Sequence, residues 1–543
     1  MAAIIDALNE LLHEKGYLQN DDLRALAHKL NVPLYRLEGL VSFYPHFRRT
    51  PPPSVEVALC RDVTCRLAGG PDFCSRVRHA LEGIKDVEVR EVSCLGRCDT
   101  APAAAVNEHP TPARDLSALL DVIAAPPDRH AVQEPSSPPR RWKSDPYAKG
   151  EERYGVVRKI IAEGTPPEAV VAALKDSGLR GMGGAGFPTG MKWDLVRKEP
   201  AQPKYVICNA DESEPGTFKD RVILAELPHL VIEGMAIAAA VVGAEEGIIF
   251  IRHEYAAERT ALARAIEDAR RRGVIGEGAL GKGRRFELSI FVSPGGYILG
   301  EETALLECLE DKRGEPRNKP PFPGQKGLFG KPTLINNVET FSYVPLIVGS
   351  GAEAWKGLGA TGYSGLKFIS LSGDVVNPGV YQVPMGTTIR DLVEMAGGVI
   401  GGRRIYAIAP GGASSNFLRG DAVSAPLDFK ALAERGSMLG SGAVLIIAEG
   451  ADIVDLAANV VAFFRNESCG KCVPCRVGSE KAVAILEQAV LGRGKRKQLA
   501  LLPQLNETMA ETSICGLGQV ALAPFLSVMK AFEADVRARF AEE

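Results

Sequence analysis

The chain has 543 residues, of which 45% are hydrophobic and 24% are charged, and its formal net charge is −3. This composition predicts a globular protein of three to five domains and gives no electrostatic reason to expect nucleic-acid binding. No apolar run reaches the ~18 residues that a membrane span needs, so we expect no membrane contact.

The N-terminal stretch predicts a cytoplasmic protein. MAAIIDALNELLHEKG has the pattern of an amphipathic helix and lacks the basic start and apolar core of a signal peptide. In a reducing compartment, the eleven cysteines are expected to be metal ligands, buried thiols or reactive thiols rather than disulfides.

The first 146 residues divide into three stretches with different sequence patterns. Residues 1–50 predict a small helical unit, with Asp21 or Asp22 as an N-cap. Beyond it, SVEVALC and DVEVREVSC predict two strands with a helix between them. The Pro- and Ser-rich stretch 124–146 predicts an exposed linker.

The rest of the chain predicts three further units. Helices alternate with apolar strands up to about residue 345, which predicts a layered α/β domain. Short strands and turns follow, and the C-terminal part is helical. The predicted domains are 1–52, 53–125, a linker 126–150, 151–345, 346–450 and 451–543.

The second domain contains two cysteine pairs, Cys60 with Cys65 and Cys94 with Cys98. Each pair is predicted to lie in a loop just after a strand, and four such thiolates suit a [2Fe–2S] cluster. Structural zinc fits the same spacing, and unrelated buried thiols are a third interpretation. Cys74, on the intervening helix, is expected in the core rather than among the ligands.

The C-terminal domain contains a tighter set. ESCGKCVPCRVGS places Cys469, Cys472 and Cys475 with two residues between neighbours, and Cys515 is the remaining cysteine of this domain. A tight triplet with one distant cysteine is typical of a [4Fe–4S] site, whereas a four-cysteine zinc site usually divides two and two.

Two loops predict an anion and sugar site. GLRGMGGAGFPTGMKW matches G-x-G-x-x-G, but a helix precedes it instead of the strand of a dinucleotide fingerprint. Its bared amides predict an anion-binding concavity, to which Lys192 can add a positive charge. CNADESEPGTFKDR follows a strand and offers carboxylates and amides to sugar or ribityl hydroxyls. The alternatives are a ligand-free glycine loop and a solvated acidic loop.

A further pair of carboxylates, Glu301 and Glu302, opens a predicted helix, where acidic residues also simply favour the helix dipole. Iron–sulfur clusters pass one electron at a time, whereas nicotinamide passes a hydride. A flavin converts between the two, so the motifs together predict a flavin site.

At this point the sequence resembles a known family. GGAGFPTGMKW, CNADESEPGT, GEETALLE, NNVET and ESCGKCVPCR with SICGLG occur in the order found in the FMN- and NADH-binding subunit of respiratory complex I and its relatives. Residues 1–125 resemble the complex I subunit with a thioredoxin-like [2Fe–2S] domain, and LVSFYPHF belongs to that likeness.

The resemblance implies a multidomain α/β and α+β fold. Its parts are a helical unit with a thioredoxin-like ferredoxin domain, a Rossmann-like FMN and NAD domain, a ubiquitin-like β-grasp domain and a C-terminal helical bundle with an iron–sulfur cluster. The implied cofactors are FMN, NAD(H), a [2Fe–2S] cluster and a [4Fe–4S] cluster.

The resemblance also implies roles for single residues. Glu214 and Glu301 are the carboxylates expected at the reacting centre, in a reaction that depends on positioning more than on acid–base chemistry. The cluster ligands are expected to be Cys60, Cys65, Cys94, Cys98, Cys469, Cys472, Cys475 and Cys515. The residues expected to bind FMN or NAD(H) are Gly181, Gly183, Gly184, Phe187, Lys192, Asn209, Asp211, Glu212, Glu214, Tyr297, Glu301, Glu302, Phe322, Asn336 and Asn337.

Fusion of the two parts resembles two kinds of NAD-linked complex. One is the β-subunit of NAD-dependent molybdenum or tungsten formate dehydrogenases, and the other is the diaphorase subunit of NAD-reducing hydrogenases. Met182 stands where complex I relatives generally have Arg, and this favours the formate dehydrogenase branch. A large partner subunit with molybdopterin-bound metal, or Ni–Fe hydrogenase subunits, is therefore implied. A zinc-stapled scaffold is the non-enzymatic alternative.

Overall fold

The computed structural model describes residues 3–135 and 140–541. In that part of the chain no single helix is long and apolar enough to cross a membrane, although one sharply bent pair, Lys219–Glu226 with Pro228–Val242, passes a test of length and composition.

The N-terminal unit is helical, as predicted, but its N-cap is not the expected residue. Gln19 occupies the cap, and Asp22 lies at the third helical position, where its side chain completes a capping box. Apolar residues of this unit pack with the central α/β sheet, and Tyr44 donates a hydrogen bond to the backbone carbonyl of Lys312 at 2.6 Å. The helices are α1 (Ala3–Lys15), α2 (Asn20–Leu30) and α3 (Leu34–Val41).

The next unit is a four-stranded sheet with a small core of its own. Its strand order is β2-β1-β3-β4, with β1 and β2 parallel and the other pairs antiparallel. Cys74 is buried in this core, away from the other four cysteines. The elements are β1 (Val55–Cys60), α4 (Val63–Leu67), α5 (Gly70–Ala80), β2 (Val87–Val92), β3 (Ala103–Val106), β4 (His109–Pro112) and α6 (Leu116–Ala124).

The segment predicted as an exposed linker is partly buried, which corrects the expectation. Trp142 is 8% exposed and donates a hydrogen bond to Glu226 at 2.7 Å, and Ser144 is fully buried. The high Pro and Ser content indicated a lack of regular structure, but it did not reveal these contacts. Residues 136–139 of the linker lie outside the described residues.

The central domain has a parallel sheet of order β7-β6-β5-β8. Its two faces contribute to two different apolar clusters, so both are buried, which is why its strands read as continuous apolar runs. The elements are α7 (Gly155–Glu163), α8 (Pro167–Ser177), α9 (Thr189–Lys198), β5 (Tyr205–Ala210), α10 (Lys219–Glu226), α11 (Pro228–Val242), β6 (Glu246–Arg252), α12 (Ala256–Arg271), β7 (Glu287–Ser293), α13 (Glu302–Leu309), α14 (Pro323–Lys326), β8 (Thr333–Asn337), α15 (Val338–Ser350) and α16 (Ala352–Lys356).

This strand order places a crevice at one point of the sheet. The chain runs outward from β5 through β6 to β7 and returns to place β8 on the other side of β5. Open α/β sheets bind ligands outside the carboxyl ends of the strands at such a switch point. Asn209 and Asn337 are paired in register there.

A mixed five-stranded sheet of order β10-β9-β13-β11-β12 forms the next unit, with helix α17 beside it, as a β-grasp fold requires. Lys367 of this unit is fully buried and pairs with Glu339 of the central domain at 2.5 Å. The elements are β9 (Leu366–Gly373), β10 (Gly379–Pro384), α17 (Ile389–Met395), β11 (Ile405–Ala409), β12 (Leu418–Arg419), α18 (Phe429–Glu434) and β13 (Ala443–Ala448).

The C-terminal unit is helical, as predicted. Its helices share an apolar cluster with the N-terminal unit and one face of the central sheet. The elements are α19 (Ile453–Asn466), α20 (Val473–Val490), β14 (Gly494–Lys495), α21 (Arg496–Leu499), α22 (Leu501–Thr512), α23 (Gly516–Val520), α24 (Ala523–Ala531), α25 (Glu533–Ala538) and β15 (Phe540–Ala541).

Candidate functional site

The glycine-rich loop between α8 and α9 lies against the end of β8. A Cβ atom at Gly183 would stand 3.0 Å from the Cβ of Asn337, so the backbone approaches closely only because residue 183 is glycine. Gly184 has φ +129° and faces open space. The backbone N–H groups of residues 183–186 make no backbone hydrogen bond of normal geometry within the described part of the chain. Free amides in this arrangement suit a phosphate.

Met182 is the residue of this loop whose backbone amide is not free, although the sequence predicted bared amides along the loop. The backbone N–H of Met182 already donates to the Oγ1 of Thr340 at 2.9 Å, so it is not free for a phosphate. The Met182 side chain is buried in the core, which explains why an apolar residue stands here.

Lys192, on α9, lies on the same side of the sheet. Its Nζ donates to the backbone carbonyl of Ile335 at 3.1 Å. Burial lowers the pKa of the amine, and the charge of Glu302 opposes that shift. Lys192 therefore lies beside β8, the strand whose end the glycine-rich loop approaches.

The acidic loop after β5 contains a carboxylate with an unused oxygen. Asp211 accepts a hydrogen bond from the hydroxyl of Ser213 at 2.8 Å through Oδ2, while its buried Oδ1 has no partner among the described residues. Burial raises the pKa of Asp211 to about 7. Asn209 donates to the carbonyl of Gly300 at 2.9 Å. The free Oδ1 fits a hydroxyl donor such as a ribityl group.

Glu212 and Glu214 point to different neighbours. Glu212 accepts hydrogen bonds from the backbone N–H groups of Asp220 and Arg221 at 2.7 and 3.0 Å, and burial raises its pKa to about 8. Glu214 accepts hydrogen bonds from the backbone N–H (2.9 Å) and the hydroxyl of Ser414, in the β-grasp domain. Burial raises the pKa of Glu214 as well.

At the end of β8 two amides are held firmly. Asn336 accepts a hydrogen bond from the indole of Trp193 at 3.1 Å. Asn337 caps α15 and donates to the carboxylate of Asp220 at 2.6 Å. Lys219, fully buried, pairs with Asp220 at 2.6 Å, which fixes this edge of the crevice.

The second pair of carboxylates has a helical role as well as a polar one. Glu301 caps α13 and accepts hydrogen bonds from the backbone N–H groups of Thr303 and Ala304, both at 2.9 Å. Lys319 bonds to Glu301 at 2.9 Å and to Glu302 at 3.1 Å. A reacting-centre role for Glu301 stays a prediction beside this capping role.

Several large apolar side chains near this crevice are exposed. Phe187 is 41% exposed, Phe322 55% and Leu195 58%. Exposed aromatic faces of this kind suit stacking on a planar ring, although their assignment to NAD(H) stays a prediction.

The N-terminal thiols converge. Cys60 ends β1, Cys65 lies in α4, Cys94 follows β2, and Cys98 opens a 3₁₀ turn, so only Cys94 lies in a loop as predicted. The sulfurs of Cys94 and Cys98 are 3.5 Å apart. Hydrogen bonds from Cys60 and Cys98 hold the pKa of Cys94 well below its usual range. All four thiols are buried, as a bound cluster requires.

The C-terminal thiols lie in two segments that pack against each other. Cys475 lies in the first turn of α20, after Cys469 and Cys472, and Cys515 caps α23. A Cβ atom at Gly518 would stand 2.9 Å from the Cβ of Cys475, so the Cys515 segment packs on the triplet. As the side chains stand, no group of three or more His, Cys, Asp or Glu in the described ranges is set to hold a single metal ion.

Both thiol sets border one cavity of about 1430 Å³, which Cys94, Tyr297 and Cys469 help to line. Between them lies Glu467, whose carboxylate accepts hydrogen bonds from the hydroxyl of Ser93 at 2.5 Å and from the backbone N–H of Tyr297 at 2.8 Å. One side chain therefore joins both cysteine segments to the loop that carries Tyr297.

Sequence reasoning missed several residues of this region. Lys319, Ser414 and Glu467 make contacts over 17 to 374 positions of sequence. None of them stands in a pattern typical of a site, although Glu467 stands two positions before the cysteine triplet.

Family models match most of the chain. A thioredoxin-like [2Fe–2S] ferredoxin model matches residues 1–125, and the Nuo51 FMN-binding domain matches 174–346. An SLBB domain matches 368–417, and the iron–sulfur binding region of NADH-ubiquinone oxidoreductase-F matches 455–539. The FMN and the two kinds of cluster implied by the sequence are thereby supported, and the free amides, the unused Asp211 oxygen and the two thiol sets fit them.

Relatives and a solved structure agree with these models. An F-type subunit of NADH-quinone oxidoreductase in Rhizobium meliloti (strain 1021) is 45% identical over 72% of this chain and 92% of its own. The HndC subunit of the NADP-reducing hydrogenase of Solidesulfovibrio fructosivorans is 41% identical over 71% of this chain and 78% of its own. A crystal structure of NAD+-reducing [NiFe]-hydrogenase in the H2-reduced state matches with a TM-score of 0.89 and 32% identity, over 99% of this chain and 93% of that chain.

Proposed function

The chain belongs to the family of FMN- and NADH-binding F-type subunits of NADH-quinone oxidoreductase, and from this we propose that it is the diaphorase subunit of a formate dehydrogenase that reduces NAD⁺. In this proposal a partner subunit with molybdopterin-bound molybdenum or tungsten oxidises formate. The observation that carries the formate assignment is Met182, an apolar residue that is buried in the core of the flavin loop.

Bound FMN would exchange a hydride with NAD(H) and single electrons with the clusters. The residues of the chain supply binding and orientation. The amides of the glycine loop and Lys192 would hold the phosphate, and Asp211 would accept a ribityl hydroxyl. Phe187 and Phe322 would flank the nicotinamide nucleotide.

The carboxylates of the crevice act in this proposal by position and charge. Glu214 is held by Ser414 and Glu301 by the first turn of α13, so neither side chain is free to swing. Fixed polar groups of this kind orient a substrate without reorganisation at the moment of reaction. The cluster thiolates are proposed to be the eight cysteines of the two sets.

A second candidate is the diaphorase subunit of a NAD-reducing hydrogenase. It is favoured by the match to the hydrogenase structure over nearly the whole chain, including the N-terminal part. The two candidates share the same reaction at the flavin and differ only in the partner that supplies the electrons.

The deciding experiment is purification of the intact complex through an affinity tag on this chain, under anaerobic conditions, from the host of the gene. NAD⁺ reduction is then assayed with formate and with H₂, and molybdenum, tungsten and nickel are measured. Formate-driven NADH formation with bound molybdenum or tungsten supports the proposal. H₂-driven formation with nickel overturns the formate assignment and leaves the diaphorase role standing.

A further inference from the structure

The second cysteine loop of the thioredoxin-like domain makes several polar and close contacts with the central domain. This loop, residues 94–99, contacts α10, the end of β6 and the start of α12. Asp99 pairs with Arg221 at 2.8 Å, and Arg97 pairs with Glu258 at 3.5 Å. A Cβ atom at Gly96 would meet the hydroxyl oxygen of Tyr255 at 2.4 Å, so the backbone passes directly beside that ring.

Arg252, the last residue of β6, lies at the centre of this contact. Its guanidinium donates to the backbone carbonyl of Cys94 at 2.6 Å and to the backbone carbonyl of Glu212 at 2.6 Å. It is 4% exposed. One positive charge therefore bridges a predicted cluster ligand and the acidic loop of the flavin crevice.

The charge of Arg252 has a single acidic partner in contact among the described residues. Glu254 accepts hydrogen bonds from its Nε at 3.0 Å and its Nη2 at 2.8 Å. Both residues line the large cavity, but the Glu254 side chain is 24% exposed, whereas the Arg252 guanidinium is bonded to the Cys94 carbonyl. Of the two charges in this ion pair, the positive charge of Arg252 is therefore the one in contact with the Cys94 segment.

We propose that Arg252 is a positioning residue that raises the reduction potential of the N-terminal [2Fe–2S] cluster, and that Glu254 opposes it. The inference rests on the cluster in the family model and not on the formate assignment. It assigns the interface between the two domains a role in setting how readily this cluster holds an electron.

The sign follows from charge. Reduction adds one electron to the cluster and makes it more negative by one charge, with no bond formed or broken. A fixed positive charge nearby stabilises the reduced form, and a negative charge destabilises it. Net charge and hydrogen bonding around a cluster are the established means by which proteins set its potential. Burial of Arg252 limits screening by water and salt.

The test is an anaerobic potentiometric titration of the full chain at fixed pH, with the [2Fe–2S] EPR signal as the readout. Arg252→Gln should move the midpoint of that signal to lower potential. Glu254→Gln should move it to higher potential, because the cation then loses its partner. The double variant should fall between the two single variants.

Opposite signs distinguish charge from damage, because a merely structural defect has no reason to reverse sign between neighbours. Shifts in the same direction, or no shift in either variant, would overturn the proposal. If Arg252→Gln does not assemble, Glu254→Gln decides the matter, since both carbonyl hydrogen bonds of Arg252 stay in place. Arg252→Lys keeps the charge and should stay closer to the parent midpoint than Arg252→Gln.

A matched control is Arg264→Gln. Arg264 lies on α12, is exposed and pairs with Glu134. Its loss changes the net charge by the same amount as Arg252→Gln, so an equal shift in this control would assign the effect to overall charge instead of to the interface. The [4Fe–4S] signal recorded in the same titration should keep its midpoint in all variants.

Discussion

Cys515 is the one proposed ligand of the [4Fe–4S] cluster that lies outside the cysteine triplet. It caps α23, is buried, and has a pKa raised to about 11 by that burial. With Cys515 as a cluster ligand, as we propose, cluster assembly must remove a proton that the free thiol holds firmly. We predict that Cys515→Ser abolishes or converts the [4Fe–4S] cluster while the [2Fe–2S] signal persists, as measured by iron content and EPR.

The matched control for this change is Cys74→Ser. Cys74 is also a buried thiol, but it packs in the apolar core of the thioredoxin-like domain. Both clusters should survive in this variant. An unchanged iron count and [4Fe–4S] signal in Cys515→Ser would remove Cys515 from the ligand set.

A second prediction for a single residue concerns Glu214. Its carboxylate is held by Ser414 beside the flavin crevice. Glu214→Gln should lower kcat/KM for NADH by about tenfold or more, the scale of ~1.4 kcal/mol in transition-state stabilisation. FMN should stay bound, as measured by flavin released on denaturation. Equal loss of FMN would place Glu214 at the flavin instead of the nucleotide.

The residues of the site differ in how visible they are in the sequence. The eight cysteines stand out in the sequence because short, regular spacing between thiols is typical of metal ligands, and their role as cluster ligands stays a prediction. Arg252 and Lys319 do not stand out, because each is an ordinary surface residue type whose partners lie far away in the chain. Their roles arise only when β6 and α13 meet other segments.

Among the elements, α11 contains a buried acid, Glu233, from which we expect a pH-dependent effect on stability. Glu233 is fully buried and accepts hydrogen bonds from Tyr147 and from the backbone N–H of Val157 at 3.0 Å. Burial raises its pKa from 4.5 to about 7. Between these values the native state keeps a proton that the unfolded chain has lost, so stability falls as pH rises.

We predict that Glu233→Gln removes this fall. The variant should match the parent near pH 4.5 and exceed it above pH 7, by up to ~3 kcal/mol at 1.36 kcal/mol per pKa unit. Calorimetric melting temperatures across this range provide the measurement. Glu163→Gln, an exposed change on α7, should follow the parent at every pH. A parallel curve for Glu233→Gln would show that this acid is already ionised in the folded state.

The regular elements were predictable where their patterns are strong. The strands of the central sheet could be predicted because both faces are buried and apolar residues run without interruption. The burial of the Trp142 segment was not predicted. Its contacts are made by isolated side chains on irregular backbone, and such contacts leave no periodic pattern in the sequence. The N-cap of α2 was placed two or three residues too late because Asp22 serves the capping box instead.

At the scale of the whole molecule, Gly96 sets how closely two domains can approach. It has φ +68°, and a Cβ there would meet Tyr255. We predict that Gly96→Ala separates the cysteine loop from the central domain and lowers the [2Fe–2S] content, measured by EPR spin quantitation. Gly83→Ala has a similar backbone penalty, φ +79°, with nothing within 4 Å of the new atom.

Gly83→Ala should therefore keep its cluster. If both variants lose it equally, backbone strain and not the domain contact is responsible. If neither does, the approach of residue 96 to Tyr255 has no bearing on the cluster.

The burial of the N-terminal thiols has a consequence for the order of maturation. Cys94 and Cys98 lie in the same apolar cluster as the central domain, and Cys60 and Cys65 are enclosed beside them. Of these four thiols Cys94 lines the large cavity and the other three do not, so after docking a scaffold protein that delivers iron and sulfide has little access to Cys60, Cys65 and Cys98. We therefore expect the [2Fe–2S] centre to be loaded while the N-terminal domain of the newly made chain is still undocked, before Arg252 and Tyr255 pack against the Cys94 loop.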